Sequence, residues 1–169
     1  CQKITTDTTE FKYYKADTGE KMQIKKLYLD PFMDLYNLEI ISFKISHQPN
    51  RVTMLEALKA AIAASEDCPY RRTFHSDRGW GYQMKEYQAL LKEHKIFQSM
   101  SRKGNCYDNA PIENFFGVMK QEMYYGKVYR RYRELESAIT SYIRYYNEER
   151  IKEKLNWRSP VEYRKTQAA

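Results

Sequence analysis

The chain has 169 residues, 42% hydrophobic and 30% charged, enough for one domain with a substantial core. Its mean hydropathy is −0.84, and no apolar run approaches the about 18 residues of a membrane-spanning helix. The formal charge of +7 points to a polyanionic partner, nucleic acid first, against the plainer alternative of a solvated basic surface.

The opening "CQKITTDTTEF" has no basic stretch leading into an apolar one, so no signal peptide is expected there. It also lacks a starting Met, and further sequence is expected upstream. Residues 3–14, "KITTDTTEFKYY", read as a strand with Asp7 in its middle, and "ADTGE" as a turn. "KMQIKKLYLDPFMDLY" alternates apolar and polar residues, with Met22, Ile24, Leu27 and Leu29 prominent, and "IISFKIS" is a third strand. Short connections make these three an antiparallel meander.

The period then changes. "NRVTMLEALKAAIAAS" reads as a helix capped by Asn50, with Val52, Leu55, Leu58 and Ile62 on one face. "RRTFHS" is a short strand ending at "DRGWGY", "MKEYQALLKEHK" a helix and "IFQSM" a strand. In "GNCYDNAPIENFFGVMK", Asp108 and Asn109 are suited to cap a helix and Pro111 to open it. Ile112, Phe116, Met119 and Met123 should face the sheet, leaving Glu113, Gly117 and Lys120 on the adjacent face. "YRELESAITSYIRYYNEER" is amphipathic through Leu135, Ile139, Tyr142 and Tyr146, and the S-x-x-E box from Ser159 to Glu162 should start a last short helix. The order predicts an α/β fold: a five-stranded mixed sheet, three antiparallel strands then helix-linked strands, with helices on both faces. We expect one domain over residues 1–169, with a basic helical C-terminal extension from about residue 127. From Asn114 to Ala169 there are 12 Lys/Arg against 7 Asp/Glu. Three cysteines without a CxxC pair suit a reducing compartment, and three histidines without metal-ligand spacing argue against structural zinc.

Three carboxylates have suggestive places. Asp7 lies within the first strand, Asp77 just past the C-terminal end of "RRTFHS", and Glu113 in a first helical turn 36 positions after Asp77. Ligand sites collect at the carboxyl ends of strands in open α/β sheets, so the three can converge at one sheet edge. Three such groups repel one another unless a cation neutralises them. Hard oxygen donors select Mg²⁺ or Mn²⁺, and two such ions suit in-line displacement at phosphorus. Taken singly, each acid has a plain structural alternative, a turn cap or a macrodipole partner.

The stretches "TTDTTEF", "HSDRG" and "SMSRKGNCYDNAPIENFFGVMK" resemble the Asp-Asp-Glu catalytic core of bacterial transposases of the insertion-sequence-three family, relatives of retroviral integrases. The tail "YIRYYNEERIKEKLNWRSPVEY" resembles the end of those proteins. The resemblance implies a ribonuclease H-like fold, with Asp7, Asp77 and Glu113 as catalytic ligands of two divalent metals, Mg²⁺ or Mn²⁺. It implies donor-strand cleavage at the element's ends and attack of the freed 3′-hydroxyl on another phosphodiester. It further implies DNA as partner, a homodimer or higher oligomer, a bacterial cytoplasmic location, and an upstream helix-turn-helix region that this chain lacks. Lys120 holds the place of the family's basic residue seven positions after the glutamate. Where the family's tail often has a histidine, this chain has Lys152, which would keep a positive contact without titrating near neutrality.

Other residues are candidates for DNA contact. Lys120 and Arg78 are read as phosphate contacts, and Arg102, Lys103, Asn105 and Tyr107 as parts of a DNA-contacting active-site loop. His75 reads as a packed strand-end histidine; most tyrosines are expected to pack, while Tyr124, Tyr125 and Tyr129 lie among basic residues, where stacking on bases is open to them. Two other readings stay open: a nuclease that only hydrolyses, and an inactive module that binds DNA or a partner.

Overall fold

The structure, a computed structural model, describes residues 2–16, 19, 21–101 and 109–167. Among these, the strands are β1 (Lys3–Thr6), β2 (Thr9–Ala16), β3 (Met22–Asp34), β4 (Ile40–Ser46), β5 (Thr73–Ser76) and β6 (Phe97–Met100). The helices are α1 (Arg51–Ala64), α2 (Lys85–Glu93), α3 (Ala110–Met123), α4 (Tyr132–Glu148) and α5 (Pro160–Gln167).

β1 and β2 are two halves of one line. The pairing Thr6↔Phe32 continues into Thr9↔Leu29 on β3 without a register shift, and only Asp7 and Thr8 leave the ladder. The six segments therefore occupy five positions, as expected: β4 beside β3, β3 beside β2 and β1, then β5 and β6 in parallel. The interruption inside the first expected strand is what sequence alternation did not reveal.

Alternation assigns each sheet face a core. Phe11, Leu27, Leu29 and Met33 pack with α3 and α4. Ile4, Phe32 and Phe74, one residue out of phase, pack with α1 and α2. The expected faces of α3 and α4 are buried, with Phe115 added to that of α3. In α1, by contrast, the buried side is Met54, Ala57, Leu58, Ala61 and Ile62, while Val52 is exposed. Leu58 and Ile62 of the expected face are thus on the core, with Leu55 packed at its edge, and the charged Arg51, Glu56 and Lys59 are exposed. The caps at its start and at α5 form as read. Thr53 N–H donates to Asn50 Oδ1 at 2.9 Å, and Ser159 and Glu162 bond reciprocally, N–H to Oε2 at 2.9 Å and N–H to Oγ at 3.3 Å.

Candidate active site

The parallel register of β1 and β5 builds the site. Thr5 pairs with His75, so their side chains share a face, and Asp7 and Asp77, each two residues on, return to that face. Each lies just past the last residue of its strand, β1 or β5, and the charge of Asp77 is felt at Asp7. The same face is covered by α3, which carries Glu113 in its first turn.

A buried hydrogen bond ties the two sides. Thr5 Oγ1 donates to Asn109 Oδ1 at 2.7 Å, linking the strand two residues before Asp7 to the helix start four residues before Glu113. Thr5 is fully buried and Asn109 is nearly so. Asn109 does occupy the N-cap position, but its side chain makes no cap bond. Its carbonyl oxygen is used across the sheet instead. No local pattern reports a contact between residues 104 positions apart. The expected cap Asp108, and the loop residues Arg102, Lys103, Asn105 and Tyr107, lie outside the described residues.

Each acid has a distinct setting. Asp7 Oδ1 accepts from Thr8 N–H at 2.8 Å, yet its carboxyl is pushed up to about 6, first by burial and then by the charges of Asp77, Glu113 and Asp30. Asp77 is exposed, and its Oδ1 accepts from Gly79 N–H at 2.7 Å. A Cβ on Gly79 would stand 2.9 Å from that same oxygen, so only glycine fits this turn without moving the carboxylate. Glu113 is exposed, and a Cβ added at Gly117, one turn along, would meet nothing within 4 Å. Among the described residues, none of the three acids forms an ion pair, and no three metal-ligand side chains lie close enough to enclose one ion. Among the described residues, the charges acting on Asp7 are those of carboxylates. That donor set, all carboxylate oxygen, fits a hard divalent cation.

Asp30 supports Asp7 from behind. It is buried in β3, its carboxyl raised by burial, and Thr8 Oγ1 donates to its Oδ1. Its Oδ2 and the hydroxyl of Tyr82 have no hydrogen-bond partner among the described residues. An acid between Leu29 and Pro31 in an otherwise apolar run was the available signal for this residue.

Several candidates are engaged in the fold. Lys120 is half-buried: its Nζ donates to the Glu10 carbonyl at 3.0 Å and lies 5.1 Å from the centre of the Phe11 ring. Burial lowers its pKa, with Glu10 opposing. Arg78 Nε donates to the Ser101 carbonyl at 3.0 Å, leaving the rest of the guanidinium at the exposed rim. His75 packs as expected for a strand-end residue, its ring nitrogens 2.9 Å from Ser99 Oγ and 3.0 Å from Ser101 Oγ. Tyr129 is buried with its hydroxyl on the Met123 carbonyl and offers no ring to a base; the half-buried Tyr124 ring lies edge-on to Phe11 and parallel to Tyr129, its hydroxyl on the β2 backbone. Tyr125 is exposed. Lys152 departs from expectation more sharply. Burial first, then Arg150, brings it down to about 8, with its ammonium 4.7 Å from the Tyr146 ring centre.

Comparison with known proteins places this arrangement. The integrase core domain family matches residues 1–106, and a second integrase core domain family matches residues 113–167. The chain is 47% identical over 163 residues to an uncharacterized transposase-like protein of Haemophilus influenzae, covering 96% of this chain and 70% of that one. It is 45% identical over 163 residues to InsK of Escherichia coli K12, named as a transposase for insertion sequence element IS150, covering 96% of this chain but 54% of that protein. Among solved structures, the HTLV-2 integrase catalytic core in complex with magnesium superposes with TM-score 0.64 at 15% identity, over 96% of this chain and 95% of that one. The catalytic domain of Mos1 mariner transposase does so with TM-score 0.65 at 10% identity, over 85% and 70%. At these identities the likeness is one of fold, the ribonuclease H-like fold of integrase and transposase cores. The chain belongs to the integrase core domain family, with insertion-sequence transposases as its relatives.

Proposed function

We propose that this chain is the catalytic core of a DNA transposase, in which Asp7, Asp77 and Glu113 hold two divalent cations, Mg²⁺ or Mn²⁺, on bound DNA. The observation that carries the reading is the charge at Asp7: a half-buried carboxylate that feels the charges of two further acids, with no ion pair to a cation among the described residues. When bound, the ions would polarise the scissile phosphate and favour the ionised form of an attacking water or 3′-hydroxyl. The chain's own residues fix the geometry. In this reading the β1–β5 register would lead Asp7 and Asp77 out of neighbouring strands, the Gly79 N–H would orient the Asp77 carboxylate, and the Thr5–Asn109 bond would position the start of α3 and Glu113. Arg78 at the rim, Lys120 and the loop residues Arg102, Lys103, Asn105 and Tyr107 would position the DNA backbone. Joining two DNA ends needs two centres, so we propose a homodimer or higher assembly, working in a bacterial cytoplasm. We also propose that the catalytic domain spans residues 1–169, its basic helical part beginning near residue 127.

The test is a joining assay with a recessed terminal-repeat duplex in Mn²⁺. Wild type should yield joined products as well as cut ones, and Glu113→Gln should yield neither. Equal activity of the two proteins would remove Glu113 from the centre, and cutting without joining would leave a nuclease.

A further inference from the structure

The active centre leaves the far end of β2 and β3 unexplained. β4 ends at Ser46, opposite Tyr28. Beyond that point β2 and β3 run on as a two-stranded ribbon, from Lys12↔Lys26 to Ala16↔Met22. Every β3 residue from Met22 to Lys26 is exposed, as are Lys12 and Lys15 on β2. Lys12 sits directly across from Lys26, a like-charge pair that weakens a ladder. Glu10 offsets part of that charge through its 3.2 Å ion pair with Lys26.

The ribbon's edge is joined by a second basic segment. After α3, Gly126 at φ +79° turns the chain back. The Tyr14 N–H donates to the Tyr129 carbonyl at 2.8 Å. The Tyr124 hydroxyl accepts from the Lys12 N–H at 2.9 Å and donates to the Lys12 carbonyl at 3.0 Å. These bonds hold the turn after α3 and Tyr129 against β2, and residues 127–133 lead from that turn into the start of α4. That segment carries four cations and no carboxylate, and all four (Lys127, Arg130, Arg131 and Arg133) are exposed. Two basic stretches over 100 residues apart in sequence are thus held side by side, with Lys12 and Lys26 on one face of the ribbon and Lys15 and Lys25 on the other, a local excess of positive charge that attracts an anion.

We propose that this ribbon and residues 127–133 form a second phosphate-binding surface, which holds duplex DNA at a distance from the catalytic carboxylates. The proposal rests on the reading of the chain as DNA-acting. Lys12 and Lys15 lie five and eight residues beyond Asp7 along one continuous strand line, which is about 17 and 26 Å at about 3.3 Å per residue. On a duplex rising about 3.4 Å per base pair, that reach corresponds to about five to eight base pairs from the reacting phosphate.

The experiment measures binding of a fluorescein-labelled duplex of about 30 base pairs across a KCl series, by anisotropy. Wild type is compared with the triple variant Lys12→Gln, Lys15→Gln, Lys25→Gln. A control removes equal charge from exposed sites around α1 and α2: Lys59→Gln, Lys92→Gln, Lys95→Gln. The ribbon variant should bind at least about tenfold more weakly near 0.1 M KCl, with a log–log salt slope lower by about two to three, while the control keeps wild-type values. The ribbon variant should melt no lower than wild type or control, since every altered side chain is exposed and the substitution relieves the Lys12–Lys26 repulsion. Wild-type binding with the ribbon variant matching the control would overturn this inference alone. Failure of wild type to bind duplex would overturn it together with the DNA-acting reading.

Discussion

Asn109→Ala removes the tie between β1 and α3 and tests how Glu113 is positioned. Thr5 Oγ1 is fully buried and bonded to Asn109 Oδ1 at 2.7 Å, so the substitution strands a buried hydroxyl, a loss of about 1–3 kcal/mol. For a domain of this size that lowers the melting temperature by about 2–4 °C per kcal/mol. Thr5→Val should cost a similar amount, because it strands the amide oxygen instead. The double variant should cost less than the sum by about 1 kcal/mol or more, since neither partner is then left unsatisfied. Calorimetric melting of the four proteins completes the cycle. Joining activity, assayed well below every melting point, should fall by about a hundredfold in Asn109→Ala, the scale of a 1 Å misplacement of a reacting group. Additive stability losses, or wild-type joining by Asn109→Ala, would refute this role for the bond.

Three further substitutions probe other parts of the account. Gly79→Ala places a Cβ 2.9 Å from Asp77 Oδ1, so joining should fall by at least about tenfold while the urea midpoint stays close to wild type. Gly117→Ala meets no atom within 4 Å in the free protein and should raise its stability by about 0.5–1 kcal/mol, yet reduce DNA joining if DNA closes on that face; melting and joining should move in opposite directions. Lys152 carries a folded pKa of about 8, depressed by burial from the ordinary lysine value. The unfolded chain therefore binds more protons between about pH 8 and 10.4, and stability rises with pH across that window. Lys152→Met should be the more stable protein at pH 7, by about 1 kcal/mol or less given partial solvent screening and the Tyr146 ring beside the ammonium, and the advantage should vanish above about pH 10.5. Urea unfolding of both proteins at the two pH values measures it.

Much of the scaffold is readable from local pattern because local physics makes it. The Asn50 cap, the Ser159–Glu162 box and the stripe of Leu135, Ile139, Tyr142 and Tyr146 depend on neighbours within one or two turns. The relation of Asp7 to Asp77 was legible only as far as strand ends attract sites; the parallel register of the strands they follow is a long-range pairing. What sequence reasoning missed is non-local in the same sense. The Thr5–Asn109 bond, the seat of Lys120 on Glu10 and Phe11, and the burial of Tyr129 and Lys152 all join residues that no period connects. The face of α1 was read in part: Leu55, Leu58 and Ile62 do meet the core, while Val52 points outward and Met54, Ala57 and Ala61 complete the buried side.

The most direct test of the central claim is the position of manganese in crystals of the chain soaked in Mn²⁺, located by anomalous scattering. A peak is expected between the Asp7 and Asp77 carboxylates, lost in the Asp77→Asn variant, with Glu113 completing the centre when a DNA end is bound. Manganese bound only elsewhere, or a peak at Asp7 that survives Asp77→Asn unchanged, would contradict it.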